Sequence, residues 1–169
     1  HRDFEKINFK PDMIILGKGI TNGYFPMGAC LINEKIEKSV KMFNHGFTYS
    51  GHPVACAAGI ATLDVYEEEG LFDNAKEMEP HFEDAIHSLK GLNQVIDIRN
   101  IGLMGAIHFG SEGLPATEFA AKVFQHCYDN DVLVRYSGEF LVLSPSLIVE
   151  PRHLEKIADA LKTAINSVS

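Results

Sequence analysis

Lys18 is the residue in the first part of the chain that is most able to do chemistry. It follows a short apolar run, residues 13–16, and stands between Gly17 and Gly19. Such a run predicts a strand that is buried on both faces in a parallel sheet, and the two glycines leave room for a ligand to approach the backbone. A lysine amine placed there can form an imine with an aldehyde or act as a base. An isolated lysine at a strand end is more often only a solvated charge, so both interpretations stay open on these residues alone.

The glycines around Lys18 do not form a nucleotide-binding motif. A phosphate-binding loop needs an earlier glycine at a fixed spacing and a Ser or Thr directly after the lysine, and neither is present. A dinucleotide-binding fingerprint would need its third glycine one residue before Gly23. The spacing therefore excludes both of these uses.

A second candidate segment is residues 43–53, which is rich in aromatic residues and glycine and shows no helical or strand period. The hydroxyl of Thr48 and the backbone N–H groups of Phe47 and Thr48 could bind a phosphate. His45 and His52 have no carboxylate or cysteine nearby to complete a metal site, so we interpret them as packing residues and expect no metal. By composition, a binding loop and a packed surface loop are equally consistent with this segment.

The third candidate is Arg135, on a short apolar strand. The alternation of a strand places Val132 and Val134 on one face, and Leu133 with the arginine on the other. An arginine in such a strand needs a carboxylate, which its planar guanidinium binds through two hydrogen bonds. That carboxylate could belong to Glu139, in a structural ion pair, or to a substrate.

Three segments together resemble the class III aminotransferases, in the order and at the spacing that this family shows. They are residues 10–29, KPDMIILGKGITNGYFPMGA; residues 45–53, HGFTYSGHP; and residues 135–145, which begin with RYSGE and end with SP. These enzymes use pyridoxal phosphate, and the likeness is strongest to omega-amino-acid:pyruvate transaminases. Ser146 departs from the family pattern, in which a second proline is usual.

The resemblance implies a role for each candidate residue. Lys18 matches the lysine that holds the cofactor, pyridoxal 5'-phosphate, as a Schiff base and later moves a proton. Thr48, with Phe47 beside it, matches the segment that binds the cofactor phosphate across a dimer interface, which implies a homodimer. Arg135 matches the arginine that binds the carboxylate of the amino or oxo acid.

The implied reaction moves an amino group from an amine or amino acid to an oxo acid such as pyruvate, with ping-pong kinetics. Residues 22–26 and Arg135 favour transamination over an aminomutase. An aminomutase or decarboxylase of the same fold is the alternative among enzymes. A catalytically incomplete fragment that acts only as a structural or association module is the alternative outside them.

The resemblance also implies an α/β fold of the pyridoxal-phosphate transferase type. Residues 1–69 match the end of the large cofactor-binding domain, with its lysine and an interdomain helix, and residues 70–169 match a small C-terminal α+β domain. Members of the family are more than twice as long as this chain of 169 residues, so we expect a C-terminal portion that begins inside a larger domain. The family's glycine-rich phosphate cup, stacking aromatic residue and pyridine-pairing aspartate have no match here, and Asp12 does not take the place of that aspartate. We therefore expect the chain alone to be inactive or nearly so.

Composition places the chain among ordinary globular proteins, with 46% hydrophobic and 22% charged residues. The formal net charge of −8 argues against a general nucleic-acid or anionic-membrane surface, because both need clustered Lys and Arg. No apolar run is long enough to span a bilayer and no signal peptide is visible, so we expect a cytoplasmic protein. Cys30, Cys56 and Cys127 are predicted to be reduced thiols buried in the core.

Periodicity predicts the elements that must position these residues. Thr117 is expected to cap the helix that follows it. Pro80 is expected to kink or divide the helix in which it lies. The small residues near Ala58 are expected to let a neighbouring element approach their helix closely. Predicted helices cover residues 34–42, 54–69, 71–89, 117–130 and 154–168. Predicted strands cover residues 13–16, 95–99, 103–109, 132–136 and 140–143, with the second and third forming an antiparallel pair and a further apolar run at residues 28–33.

Overall fold

The computed structural model describes residues 10–168. The chain divides into two compact units, His1–Gly70 and Leu71–Ser169. Both contain helices and antiparallel strands, and each is described separately below.

The first unit contains a two-stranded ribbon, a tight turn and two helices. Strand β1 (Met13–Leu16) leads into a 3₁₀ turn at Lys18–Ile20, and β2 (Ala29–Ile32) pairs with β1 in antiparallel register. Helix α1 (Glu34–Ser39) and helix α2 (Pro53–Glu68) follow. The predicted strand at residues 13–16 and the two predicted helices are confirmed.

The surroundings of β1 were predicted wrongly. Its only partner among residues 10–168 is β2, which runs antiparallel to it, and all four of its residues are exposed. Ile15, for example, is 86% exposed. A two-stranded ribbon has two open faces and buries side chains only where another layer covers it, and no element of the first unit's described residues does so.

Helix α2 presents small residues to the element that packs against it. Its buried residues are Ala55, Gly59 and Thr62, at helical spacing along one face. A Cβ added at Gly59 would be in van der Waals contact with the carbonyl oxygen of Ile20 and the sulfur of Met27, each at 3.6 Å. The prediction that small residues let another element approach this helix is therefore confirmed, and the element is the turn that contains Lys18.

The second unit places helices against one face of a four-stranded antiparallel sheet with strand order β3-β4-β6-β5. The large side chains of the core include Phe82, Ile107, Phe119, Leu141 and Leu161, all fully buried. In chain order the elements are α3 (Leu71–His87), β3 (Val95–Ile101), β4 (Met104–Phe109), α4 (Ala116–Asp129), β5 (Arg135–Ser137), β6 (Phe140–Leu143) and α5 (Pro151–Ser167). The predicted antiparallel pair β3–β4 is confirmed.

The structure corrects two expectations about helices in this unit, that Pro80 could divide its helix and that Thr117 caps its own. Helix α3 runs unbroken through Pro80, whose ring lies on the exposed side, because Met78, Phe82 and Ile86 hold the opposite face in the core. Helix α4 begins one residue before Thr117, and its N-cap is Pro115, with no side-chain cap.

The three cysteines differ in their environment. Cys127 is buried in the core of the second unit, as predicted, and Cys56 is half-buried. Cys30 is exposed, which corrects the prediction for that residue. The reason is its place on β2, in the uncovered ribbon.

Burial raises the pKa of the Cys127 thiol to about 11, because the thiolate would lose its hydration. A thiol whose pKa is higher in the folded protein than in the unfolded chain, where it is 9.0, stabilises the fold below pH 9. That contribution is lost as the pH rises from about 9 to 11. We expect Cys127→Ala to flatten the fall in the free energy of unfolding over this range, as measured by urea denaturation, while Cys30→Ala leaves the slope unchanged. Equal slopes in the wild type and Cys127→Ala would contradict this account.

Candidate active site

Lys18 has an unusual backbone conformation. Its φ of 51° lies in the left-handed region, which costs a non-glycine residue about 1 kcal/mol or more. The turn is closed by the N–H of Ile20, which donates to the carbonyl of Gly17 (3.3 Å), and by the N–H of Thr21, which donates to the carbonyl of Lys18 (3.4 Å). The lysine side chain is exposed. Backbone strain of this kind is found at many functional sites, and within residues 10–168 Asn22, Gln94 and Asp131 share the left-handed conformation.

Helix α2 holds this turn in place. The hydroxyl of Tyr66 donates to the carbonyl oxygen of Gly19 at 2.9 Å, about two helical turns beyond the close approach at Gly59. Thr21, which is 1% exposed, anchors the other side of the turn through a hydrogen bond from its hydroxyl to the carbonyl of Phe25. The lysine turn is thus fixed to a helix that lies 47 residues away in sequence.

The loop at residues 43–52 is tied to the same turn by His52. The ring of this histidine stacks on Phe25 with 4.8 Å between centroids, meets the edge of Tyr49, and accepts a hydrogen bond at Nδ1 from the N–H of Val54. His45 packs edge-on against Phe47. Both histidines therefore pack against aromatic rings, and the described residues contain no group of three or more His, Cys, Asp and Glu placed to hold a metal.

The predicted phosphate donors are not equivalent. The N–H of Phe47 already donates to the hydroxyl of Ser50 at 2.9 Å. Thr48 is exposed, and its N–H and hydroxyl have no hydrogen-bond partner within residues 10–168. Thr48 therefore offers two donors to a ligand, whereas Phe47 offers its N–H only if Ser50 releases it.

In the second unit, Arg135 opens β5. Val132 and Val134 are buried while Leu133 and Arg135 are exposed, so the predicted alternation is confirmed. Strand pairing places the arginine opposite Val142.

The ion pair that the sequence left open, Arg135 with Glu139, is not present. Glu139 instead accepts a hydrogen bond from Nε2 of His108 at 3.0 Å, or pairs with it when the ring is protonated. Within the described part of the chain Arg135 has no ion-pair partner. Its guanidinium group is therefore available to an external carboxylate.

A groove of about 550 Å³ opens beside Arg135, next to the paired ends of β5 and β6. Arg135 is the one charged residue among those that line it. The apolar lining includes Phe124, Leu133, Tyr136, Val142, Pro145 and Ile157. Such a groove suits a carboxylate that carries a short apolar chain.

Sequence reasoning did not find the residues that support the site. Tyr66 lay in no motif, Phe25 lay in a motif segment but was given no role of its own, and the contact from Tyr66 to Gly19 spans too much of the chain to leave a local pattern. The small residues of α2 were the one available signal, because they indicated that some element must approach the helix closely.

Nearly the whole chain matches a known protein family. The family described as aminotransferase class-III matches residues 4–165, so the chain is a member of the class III aminotransferases. This confirms the family that the three sequence motifs indicated.

Individual relatives of the chain are also aminotransferases. The chain is 37% identical to an omega-aminotransferase of Caulobacter vibrioides, over 97% of this chain and 39% of that protein. It is 35% identical to a beta-alanine–pyruvate aminotransferase of Pseudomonas aeruginosa, over 98% of the chain and 39% of the relative. The chain thus spans about two fifths of the length of these relatives.

Solved structures show the same fold. The PMP-bound form of an aminotransferase from Vibrio fluvialis superimposes with a TM-score of 0.89 at 29% identity, covering 98% of this chain and 39% of that one. An omega-aminotransferase from Paracoccus denitrificans gives 0.87 at 29% identity, over 98% and 40%. The predicted α/β transferase fold is therefore confirmed, for part of the fold. In the structure described here, every helix within residues 10–168 is too short or too polar to cross a membrane.

The hydrogen bond from Tyr66 to Gly19 should control the rigidity of the lysine turn. We expect Tyr66→Phe to speed amide exchange at residues 20–22 about fivefold, since a hydrogen bond of this type contributes about 1 kcal/mol. Hydrogen exchange followed by NMR measures this directly. Tyr24→Phe, in the same turn but 85% exposed, is the matched control and should change nothing. Unchanged protection in Tyr66→Phe would show that the helix does not hold the turn.

Proposed function

We propose that this chain is the C-terminal portion of a pyridoxal-phosphate-dependent transaminase. The whole enzyme would move an amino group from an amine or amino acid to an oxo acid such as pyruvate, with ping-pong kinetics, and would act in the cytoplasm. Membership of the class III aminotransferases supports the reaction class. The observation that carries the assignment to this chain is the strained Lys18, held in its turn by α2 and joined through Phe25 and His52 to the loop that carries Thr48.

The residues present fit pyridoxal phosphate. The cofactor needs an amine for its aldehyde and donors for its phosphate, and Lys18 and Thr48 supply these groups. The backbone before the lysine is open, because a Cβ added at Gly17 would meet nothing within 4 Å. When bound, the cofactor supplies a ring that withdraws electrons from the substrate carbon.

Lys18 would take part in two steps of the reaction. It would attach the cofactor covalently through Nζ and, once a substrate amine has displaced it, its free amine would carry a proton away from the substrate α-carbon. A left-handed backbone suits this work because the turn sets the direction in which the side chain leaves the backbone. The hydrogen bond from Tyr66 to Gly19 would keep that direction fixed during both steps.

Thr48 would bind the phosphate through its hydroxyl and N–H, and we propose that it does so for the cofactor of a second subunit in a homodimer. The N–H of Phe47 would bind the phosphate only after giving up its hydrogen bond to the hydroxyl of Ser50. Thr48 would therefore be the main donor. The exposed aromatic loop around these residues, with Phe47 73% and Tyr49 75% exposed, is consistent with a surface that a partner covers.

Arg135 would bind the substrate carboxylate. Its guanidinium has no ion pair within residues 10–168, and the groove beside it is otherwise uncharged. We assign residues 1–69 to the large cofactor-binding domain and 70–169 to the small domain. Among reactions on this fold, transamination is favoured over aminomutase or decarboxylase chemistry, since the named relatives are aminotransferases.

Reduction with borohydride should fix the cofactor to Lys18. In the intact enzyme loaded with pyridoxal phosphate, a peptide digest analysed by mass spectrometry should carry the label on Lys18. Lys18→Arg should lose the label and at least about a hundredfold in kcat, the scale of a lost acid–base group. Lys41→Arg, an equally conservative change at an exposed lysine, should keep both. A label on any other lysine would refute the assignment.

Removing the hydroxyl of Thr48 should weaken cofactor binding. We expect Thr48→Val to raise the Kd for pyridoxal phosphate about 10- to 100-fold, since a hydrogen bond to a charged group is lost, while Thr48→Ser retains most of the affinity. Thr117→Val, at an exposed threonine of α4, is the control. Equal Kd values for Thr48→Val and the wild type would contradict the phosphate role.

A hybrid dimer tests whether Thr48 serves the other subunit. In a dimer of one Lys18→Ala subunit and one Thr48→Val subunit, binding across the interface leaves one site with both native residues and therefore one tight site for the cofactor. Binding within each subunit leaves no such site. Titration of the purified hybrid with pyridoxal phosphate distinguishes the two outcomes.

A further inference from the structure

The sheet of the second unit has an inner face in the core and an outer face on the other side. Ile107 and Leu141 lie on the inner face and are fully buried. Because side chains alternate along a strand, their neighbours His108 and Phe140 lie on the outer face. His108 is half-buried there, and its contacts bear on the hairpin that carries Arg135.

His108 holds the loop that joins β5 to β6. Its Nε2 lies 3.0 Å from Oε1 of Glu139, and since a carboxylate only accepts hydrogen bonds, the ring nitrogen is the donor. The ring also stacks on Phe140, with 4.3 Å between centroids. The backbone adds a further contact, in which the N–H of Phe109 donates to the carbonyl of Glu139 at 3.0 Å. Glu139 is therefore tied to β4 through both its backbone and its side chain.

Arg135 lies on the same hairpin and the same face. Ser137 pairs with Phe140, so the loop between the strands consists of Gly138 and Glu139. Gly138 has a φ of 59°, which suits the first position of a two-residue loop. Arg135 and Ser137 are two residues apart and share the outer face. The short side chain of Ser137 is thus the only one on β5 that stands between Arg135 and the loop.

The carboxylate of Glu139 is within reach of Arg135. The strand advances about 7 Å from Arg135 to Ser137, and the loop step brings the Cα separation from Arg135 to Glu139 to about 10 Å. An extended arginine and a glutamate side chain bridge that distance between them. The side chain of Glu139 is 46% exposed, so packing does not prevent it from turning. In the structure it is turned to His108 instead.

The ring of His108 has two carboxylates near it. Asp97 lies opposite His108 on β3, whereas Glu139 directly precedes Phe140. Among the described residues, the hydrogen bond of the ring goes to Glu139. Arg99, the nearby cation on β3, has its guanidinium carbon 5.5 Å from the centroid of the Phe140 ring. The stack on Phe140 therefore keeps His108 beside Glu139, and no cation of the described residues forms an ion pair with Asp97.

We infer that His108 is a positioning residue for substrate binding, which holds the carboxylate of Glu139 away from Arg135. The guanidinium group of Arg135 is thereby kept available to the carboxylate of the amino or oxo acid. The inference rests on the proposed function, in which Arg135 binds that carboxylate. Without the donor on His108, Glu139 pairs with Arg135 and a substrate has to displace it. His108 acts through Glu139 alone and takes no part in the chemical step.

A pair of substitutions tests this in the intact enzyme loaded with pyridoxal phosphate. His108→Phe keeps a ring on Phe140 and removes the donor. We expect it to lower kcat/KM for pyruvate about three- to fivefold, the scale of an exposed ion pair, and to leave kcat within about twofold. Adding Glu139→Gln removes the competing charge and should restore kcat/KM to within about twofold of the wild type. His81→Phe, at an exposed histidine of α3, is the matched control and should change nothing.

The rescue by Glu139→Gln distinguishes this role from a structural one. Removal of a charge does not repair a distorted hairpin, so a loss that persists in the double variant would overturn the inference. An unchanged kcat/KM in His108→Phe would overturn it as well. His108→Leu, which also lacks a donor, should show the same loss and the same rescue. His108→Gln should stay within about twofold of the wild type, since its amide N–H can still donate to Glu139.

Binding without turnover gives an independent readout. Calorimetric titration of the cofactor-free protein with butyrate should show a Kd that rises about three- to fivefold in His108→Phe. The Kd should return to the wild-type value when Glu139→Gln is added. A Kd for butyrate that is the same in the wild type and His108→Phe would contradict the inference.

Arg135→Gln separates this inference from the proposed function. It should lower kcat/KM for pyruvate about tenfold or more, because a hydrogen-bonded charge is lost. Adding His108→Phe to it should have no further effect, since no guanidinium group is left for Glu139 to occupy. If Arg135→Gln leaves pyruvate unaffected, the carboxylate role of Arg135 fails. If Arg135→Gln behaves as expected and His108→Phe changes nothing, only the role of His108 fails.

Discussion

The left-handed backbone of Lys18 is the constraint on which the first unit depends. A non-glycine residue keeps such a conformation only where its surroundings impose it. Here the surroundings are helix α2, which approaches the turn closely at Gly59 and donates a hydrogen bond to it from Tyr66. The small residues of the helix and the strained lysine are therefore two parts of one arrangement, since a bulkier helix face would push the turn away.

In the second unit, the two-residue repeat of the strands divides the side chains between an inner face in the core and an outer face. Burial of Ile107 and Leu141 on the inner face fixes the orientation of every neighbouring side chain. Arg99 and Arg135 consequently come to the outer face in a single row, although they lie on strands at opposite edges of the sheet. A one-residue shift of either edge strand would turn its own arginine toward the apolar core, so the packing that stabilises the unit also fixes the position of these charges.

The ribbon of β1 and β2 shows that burial depends on neighbours as much as on the strand itself. Its residues are apolar on both faces, the pattern of a central strand, yet all of them except the half-buried Ala29 are exposed. The same holds for Cys30, which the sequence placed in the core. The chain spans about two fifths of the length of its curated relatives, and no element among the described residues of the first unit covers this ribbon.

The sequence by itself determined the type and order of nearly every element, because periodicity is a local property that a few turns of chain express. It also identified Lys18, Thr48 and Arg135 as candidates through motif spacing, and the family those motifs indicated is confirmed. It could not show that α3 passes through Pro80, since packing on the opposite face decides that. Nor could it exclude an ion pair between Arg135 and Glu139, or find the support from Tyr66. Those outcomes were decided only by the tertiary structure, because they depend on contacts between residues that are far apart in sequence, and such contacts leave no local pattern to read.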